Sequence, residues 1–406
     1  MSTRLESPVL KSAYILFVGL FSVNIGQSIL APVLPPLVRE LGLTELQGGL
    51  IMGFSAVMWV IFSPIWGRRS EVWGRKPVFL ISLVGYTLGV GTFGVVMQMG
   101  LDGVFATSLL TWVLLVLARM VVGTLYSGSV PASQAYVADT TTGQTRTNAL
   151  GVISAAGSLG RIFGPALGGI VIGLGLVVPI FLSAILPLVG ALLVLFLLPA
   201  IKPNIKRGQV LPRLSPFDSR IWHVLFIGLT VTTVMSLVNF SIGFLFQDRL
   251  QLSTGETAQM VGLAFVASGC AALFAQTVLI RTFQWSPLTL MKLGLPILLL
   301  ASLLLLTGQS FFVLSLGLVF QGLGSGLAFP GYRTAISFAV NANEQGAAAG
   351  LLSAIGGTGG IFGPIVGTGL YGINPTYPYL LSVMIIFCGI GVLIFMITMP
   401  QIKQSV

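Results

Sequence analysis

The chain has 406 residues, 55% of them apolar and only 7% charged, with a net charge of +10 and a mean hydropathy of +0.99. Soluble domains carry about 25% charged residues, because their surface faces water. Twenty basic and ten acidic residues cannot cover a soluble globule of this size, which excludes a soluble enzyme, a secreted disulfide scaffold and a disordered chain.

The 51 glycines follow no collagen-like period and fall largely inside apolar stretches, where closely packed membrane helices place small residues. At roughly 30–35 residues per span and loop, the length allows about twelve spans. No basic cluster is interleaved with aromatics on a soluble segment, so no nucleic-acid partner is expected. Cys270 and Cys388 lie in apolar runs and read as buried thiols, with no metal site and no cofactor implied. The apolar stretch from Tyr14 runs past the length of a signal-peptide core without a clear cleavage site, and is read as an uncleaved first span.

In chain order the spans are expected near 12–38, 46–66, 77–99, 105–137, 149–171 and 177–198, then near 221–246, 256–280, 288–307, 310–338, 347–371 and 378–399. With both termini cytoplasmic, sixteen basic residues fall on inner segments, among them Arg4, Lys11, Arg68, Arg75, Lys76, Lys202, Lys206, Arg207, Arg213, Arg220 and Lys403. Only Arg39 and Arg249 fall outside, so the positive-inside rule puts the termini in the cytoplasm. The stretch 200–220 is basic and holds Pro203, Pro212 and Pro216; it divides the chain into an N-terminal half, 1–199, and a C-terminal half, 221–406.

These halves repeat each other. The string Gly-x-x-Gly-x-Ile-Phe-Gly-Pro-x-x-Gly occurs from Gly157 to Gly168 in span five, and again from Gly356 to Gly367 in span eleven. A repeat six spans apart, with an axis along the membrane normal, is a recurrent transporter plan. In span five, Gly157, Gly164 and Gly168 fall within about 40° of one another at 100° per residue. Pro165 removes the N–H that would bond the carbonyl of Arg161. The resulting smooth face suits close helix contact and is expected to lie across the two halves. Plain helix packing, with no gating role, is the competing reading.

After span two the chain reads Gly67-Arg68-Arg69-Ser70-Glu71-Val72-Trp73-Gly74-Arg75-Lys76. This resembles the signature loop of the major facilitator superfamily: a glycine, an acid four residues on, then Gly-Arg-Lys. Gly164-Pro165 with Gly168-Gly169 resembles the motif of that superfamily's antiporter branch, and Arg119 with Gly123 fits a third motif. The loop from Asp139 through Arg146, and Glu344-Gln345-Gly346 in the second half, are similar to loops of twelve-span drug:proton antiporters, tetracycline exporters included. The loop departs from the pattern at two positions, Glu71 for the usual Asp and Val72 for a basic residue. The resemblance implies an all-α integral membrane protein of twelve helices in two pseudo-symmetric six-helix halves. It also implies that the loop is a latch between helices and that the span-five motif seals the path during rocking. Gly67 and Gly74 permit a tight turn there, and Glu71 can accept hydrogen bonds. A basic turn that only sets topology is the other reading of the loop.

Arg119 and Arg161 lie near the middle of spans four and five. An arginine at that depth costs about 2.5–3.5 kcal/mol, so it faces a partner or a watery cavity. All ten acids sit toward span ends, so the cavity is expected to be cationic. The two guanidiniums either bind an anionic substrate, or Arg119 bonds polar groups of span one while Arg161 serves packing or gating. Span one offers the uncharged Asn24, Gln27 and Ser28, which disfavours a pump for cationic drugs. Thr232, Ser236 and Asn239 in span seven, and Gln321 and Ser325 in span ten, follow helical spacing toward the presumed cavity; Trp59, Tyr126, Phe240 and Phe244 can supply its walls. His223, at the start of span seven, is read as incidental.

The expected protein is therefore a transporter and not an enzyme, since no span carries a nucleophile, metal cluster or acid–base pair at depth. It is expected to export a small amphipathic or anionic compound, such as a drug or a carboxylate siderophore, in exchange for protons, with an uptake symporter or uniporter as the rival. A monomer in the bilayer of a bacterial inner membrane is expected. Substrate-binding candidates are Asn24, Gln27, Arg119, Tyr126, Arg161, Ser236, Asn239, Phe240, Gln321 and Ser325. Gating or coupling candidates are Gly67, Glu71, Gly74, Arg75, Asp139, Gly164, Pro165 and Gly168. The charge bias makes one outcome testable at once. A tag appended at Val406 should stay shielded from an impermeant label in intact cells and react after permeabilisation; labelling of intact cells would reverse the orientation.

Overall fold

A computed structural model describes residues 8–201, 214–341 and 344–398. Lys202, Lys206, Arg207 and Arg213 of the expected linker, and both chain ends with Arg4, Glu6 and Lys403, lie outside the described residues. Among the described residues all regular structure is helical. The first seven helices are α1 (Pro8–Glu40), α2 (Glu45–Trp73), α3 (Arg75–Leu101), α4 (Ser108–Tyr126), α5 (Ser129–Thr140), α6 (Gly143–Val171) and α7 (Val178–Leu197). The remaining seven are α8 (Trp222–Leu250), α9 (Thr254–Phe274), α10 (Ile280–Phe283), α11 (Pro287–Thr307), α12 (Phe311–Ala339), α13 (Gln345–Ile373) and α14 (Tyr377–Thr398). They form twelve spans long and apolar enough to cross a membrane, in agreement with the hydropathy reading.

Two of the spans are composite. The fourth, Ser108–Thr140, breaks between α4 and α5. Pro131 has no N–H for the carbonyl of Ser127, and the indole of Trp66 donates to the carbonyl of Thr124 at 2.7 Å. A side chain at Gly128 would stand 2.7 Å from Ser82 Oγ and 3.0 Å from Trp66 Cβ, so glycine lets three helices meet at the break. The eighth span joins α9 to α10 through one π-helical turn, Ala275–Leu279. Span starts are capped where polar residues allow: Ser253 and Glu256 form a reciprocal capping box at α9, and Thr107, Ser286 and Ser310 each accept an N–H of the helix they precede.

The described residues separate into two compact units, one from Met1–Leu43 and Phe54–Arg207, the other from Thr44–Gly53 and Gly208–Val406. In the first, α1 packs along α6 and α7, and α3 packs between α4 and α7. In the second, α8 packs along α13 and α14, and α12 packs between α9 and α11. Cys270 and Cys388, read from the sequence as buried, are both exposed. In a bilayer the outer face of a span is apolar, so a thiol meets no penalty there; Phe196 and Leu174 on other spans are nearly as exposed as free side chains.

The glycine repeat is built into both units as the same contact. Gly160 and Gly164 of α6 lie against Asn24 and Ser28 of α1, and Gly359 and Gly363 of α13 lie against Thr232 and Ser236 of α8. A Cβ at Gly164 would stand 2.5 Å from Ser28 Cβ and 2.6 Å from the carbonyl oxygen of Ile25; at Gly168 it would stand 3.1 Å from the carbonyl of Ile29. The smooth face is therefore engaged on α1, inside its own unit. Periodicity identifies a smooth face but cannot name the helix that covers it. A second repeated contact joins Gly123 of α4 to the carbonyl of Ser55 in α2, and Gly322 of α12 to the carbonyl of Ser268 in α9.

The geometry orders an alanine series. Gly164→Ala must push against backbone and should lower stability by about 1–3 kcal/mol, the usual cost of overpacking. Gly157→Ala, whose Cβ would be 3.8 Å from its nearest neighbour, should be neutral or stabilise slightly through helix propensity, and Gly168→Ala should fall between. Unfolding temperatures in detergent check the order; equal effects at 157 and 164 would remove the close-contact account. Gly164→Leu should in addition abolish transport.

Candidate functional site

Within the first unit the mid-span polar residues converge from α1, α3, α4 and α6. Arg119 is 1% exposed. Its Nη2 donates to Gln27 Oε1 at 3.2 Å, and its guanidinium carbon lies 5.8 Å from the ring centre of Phe93. Its Nε and Nη1 have no hydrogen-bond partner among the described residues. Tyr86 of α3 lies within electrostatic reach of Arg119, and its ring meets that of Tyr126 edge-on at 5.6 Å. Gly26 makes room for this group, since a Cβ there would be 2.9 Å from Tyr86 Oη and 2.7 Å from the carbonyl of Ser183. The side chain of Arg161 is exposed on α6, within electrostatic reach of Tyr126.

Burial thus divides the two arginines that the sequence paired. Arg119 is enclosed and held by span one, as the motif resemblance implies; Arg161 is exposed on α6, within electrostatic reach of Tyr126. Asn24 and Ser28 turn onto their own helix, with Asn24 Nδ2 on the carbonyl of Leu20 at 2.7 Å and Ser28 Oγ on that of Asn24 at 2.5 Å. Gln27 alone of the expected span-one stripe meets an arginine. Tyr86 and Phe93 were missed by sequence reasoning. A lone tyrosine amid the glycines of span three was the available signal, because a buried hydroxyl at that depth needs a neighbour.

In the second unit Gln321 and Ser325 are buried in α12; Ser325 bonds the carbonyl of Gly322 at 3.1 Å, and Nε2 of Gln321 has no partner among the described residues. Ser236 is pressed into the notch at Gly363, so it serves packing between α8 and α13. Phe244, expected as a cavity wall, is 1% exposed and belongs to the apolar core around Val238, Leu245 and Tyr379. Asn239 and Phe240 are half-buried on α8. His223 is buried, and neither ring nitrogen has a partner among the described residues.

The loop after span two differs in detail from its sequence reading. Gly67 lies inside α2 and a Cβ there would have room, so only Gly74, with φ of 98°, requires glycine for the turn. Glu71 is exposed and has no ion-pair or hydrogen-bond partner among the described residues. The link between helices is made by Arg75 instead: Nε donates to Asp139 Oδ2 at 2.9 Å and Nη1 to Ser70 Oγ at 2.6 Å, while Ser70 bonds the carbonyl of Gly67. Residue spacing put the acid of the loop forward, but its helical phase points it outward and turns Ser70 inward. Lys76 then caps α7 through the carbonyls of Leu195 and Leu198, and Arg146 caps α5 through those of Ala138 and Thr141. In the second unit Arg220 bridges Asp218 at 2.8 Å and Glu344 at 3.0 Å. Its hydrogen bonds hold both carboxyls below their ordinary range.

The family model of the Major Facilitator Superfamily matches residues 16–316 and 284–405. Multidrug resistance protein 1 of Bacillus subtilis is 28% identical over 393 residues, covering 96% of this chain and 97% of that protein. The class C tetracycline resistance protein of Escherichia coli is 26% identical and covers 97% of each chain. Among solved structures, that of a point mutant of the nucleoside transporter NupG superposes with a TM-score of 0.73 at 14% identity, over 95% of this chain and all of that one. That of the human organic anion transporter MFSD10 superposes with a TM-score of 0.68 at 20% identity, over 96% and 100%; both show the fold.

The loop geometry separates two acids, Asp139, which Arg75 holds, and Glu71, which is exposed. Asp139→Asn keeps an oxygen for Arg75 but removes the charge. It should cost on the order of 1 kcal/mol of stability and weaken transport. Glu71→Gln should leave the unfolding temperature unchanged. Loss of stability in the Glu71 variant alone would return the latch to Glu71.

Proposed function

Because the chain belongs to the Major Facilitator Superfamily, we propose that it exports a small amphipathic or anionic organic compound by alternating access, with protons moving in the opposite direction. It is a multi-pass membrane transporter, and its relatives by sequence are named for multidrug and tetracycline resistance. The observation that carries the substrate class is Arg161, a permanent cation in mid-span whose side chain is exposed on α6. An arginine at that depth faces a partner or a watery cavity, and its planar fork matches a carboxylate. The ring of Tyr126 supplies an apolar wall beside it, suited to an aromatic or hydrocarbon body. Arg119, enclosed with Gln27 and Phe93, adds positive potential from behind this surface. A carboxylate chelator of the siderophore kind, an acidic drug and a lipid-like anion all fit this chemistry.

Coupling has few candidates, since no acid lies in mid-span. Asp139 terminates α5, in the same composite span as Arg119, and its tie to Arg75 would break on protonation. The substrate's own charge is a second driving force. An anion leaving a negative interior gains about 2.3 kcal/mol per charge at 100 mV. The bacterial inner membrane, with cytoplasmic termini, is the setting that fits this direction.

Purified protein in proteoliposomes tests the reading with carboxyfluorescein, its methyl ester and tetracycline, each under an imposed proton gradient. Arg161→Ala should weaken carboxyfluorescein transport about tenfold or more, in line with a hydrogen bond to a charged group, and the ester about twofold at most. Equal loss for both would reject an anion site at Arg161, and accumulation independent of the gradient would reject proton exchange.

A further inference from the structure

The π-helical turn in the eighth span is a departure from the repeat, since α2, its counterpart six spans earlier, is α-helical throughout. A π turn inserts one residue into a helix and is found mostly where function needs it. Here the N–H of Ile280 bonds the carbonyl of Ala275. The buried side of the turn is clamped: Ala275 is fully buried, and a Cβ at Gly326 of α12 would stand 2.9 Å from both the carbonyl of Ala272 and the methyl of Ala275. Thr277, in the middle of the turn, returns its hydroxyl to the carbonyl of Leu273 at 2.7 Å.

The residue the turn displays is Gln276. It is exposed and has no hydrogen-bond partner among the described residues. It sits seven residues before the end of the span Thr254–Phe283, roughly 10 Å inside it at 1.5 Å per residue. A primary amide left unpaired against hydrocarbon at that depth costs several kcal/mol. Over most of the span the exposed apolar residues lie on another face: Leu263 and Phe274 are exposed at 62% and 49%, and Gln276 lies roughly 140–160° around the helix from them; Phe283, exposed at 57% on the last turn, is the exception.

We propose that Gln276, carried on the π turn, faces the aqueous transport path and hydrogen-bonds the passing substrate, so that it favours compounds presenting adjacent donors and acceptors, such as vicinal hydroxyl and carbonyl groups. This rests on the transport reading but not on the anion site. The amide offers two donors and one acceptor, and the clamp at Gly326 keeps its backbone from turning the side chain away. The proposal adds a polar contact on the cytoplasmic side of mid-span, at a position that no motif marks.

The test uses the full chain with Cys270 and Cys388 replaced by Ala, carrying either Gln276→Cys or Leu263→Cys, in inverted membrane vesicles. Gln276→Cys should react with the cationic thiol reagent methanethiosulfonate-ethyltrimethylammonium at least about tenfold faster than Leu263→Cys. Both should react with membrane-permeant N-ethylmaleimide, which shows that both are folded and present. Equal rates with the cationic reagent would place Gln276 against lipid and overturn the proposal. A second arm follows tetracycline and carboxyfluorescein with Gln276→Leu, whose unfolding temperature should match the parent's. Tetracycline, rich in adjacent hydroxyl and carbonyl groups, should lose several-fold more transport than carboxyfluorescein. Unchanged transport of both by Gln276→Leu would overturn substrate contact. If the parent protein moves neither compound, the export reading fails while the labelling result still decides whether Gln276 meets water.

Discussion

Close approach of two helices without intervening side chains organises each six-span unit. In lipid there is no hydrophobic force between spans, so association depends on van der Waals contact and on satisfied polar groups. Gly160 and Gly164 let α6 lie on the backbone of α1, and Gly359 and Gly363 let α13 lie on α8. With α1 held there, Gln27 is placed beside Arg119 and Gly26 beside Tyr86. The partner of the buried cation is therefore placed by the glycine contact. The Gly123–Ser55 and Gly322–Ser268 crossings repeat the same solution at the fourth and tenth spans.

Polar groups in this protein fall into two regimes set by solvent. At the span ends, arginine and lysine are used as helix caps and cross-links: Lys76 on α7, Arg146 on α5, Arg75 on Asp139, Arg220 on Glu344. Arg249 likewise takes the carbonyls of Leu305, Leu306 and Gly308 at the end of α11. These contacts order loops near water and are individually modest. At depth the same side chain has a different role, because desolvation leaves it dependent on whatever faces it. Arg119 has an amide and an aromatic face; Arg161 is exposed, with a phenol nearby. One is enclosed by the fold and the other is exposed.

The pseudo-repeat is accurate at the glycine contacts and breaks at the mid-span polar residues. The glycine contacts correspond residue by residue between units, yet Arg119 and Arg161 have no cationic counterparts in spans ten and eleven, where Leu318 and Gly360 stand. The second unit carries amides at mid-span, Asn239, Gln276 and Gln321, and the one π turn among the described residues.

The number of spans, their approximate limits, the division into repeated halves and the scarcity of acids at depth were all legible in the sequence. Each follows from composition and local period: about twenty apolar residues cross a bilayer whatever they pack against, and a charge is visible as a letter. Gly74 was legible too, since a glycine between two long helices announces a turn. What covers a helix face was not. The same periodicity that aligned Gly164 with Gly168 gave no sign that α1 lies upon them, and motif spacing favoured Glu71 where helical phase selected Ser70 and Arg75. Two arginines of equal depth looked equivalent until burial separated them, and Tyr86 joined the site from a span that no motif marks. The physical reason is common to these cases: sequence records which groups must be satisfied, while the partner that satisfies each is chosen by contacts between residues far apart in the chain.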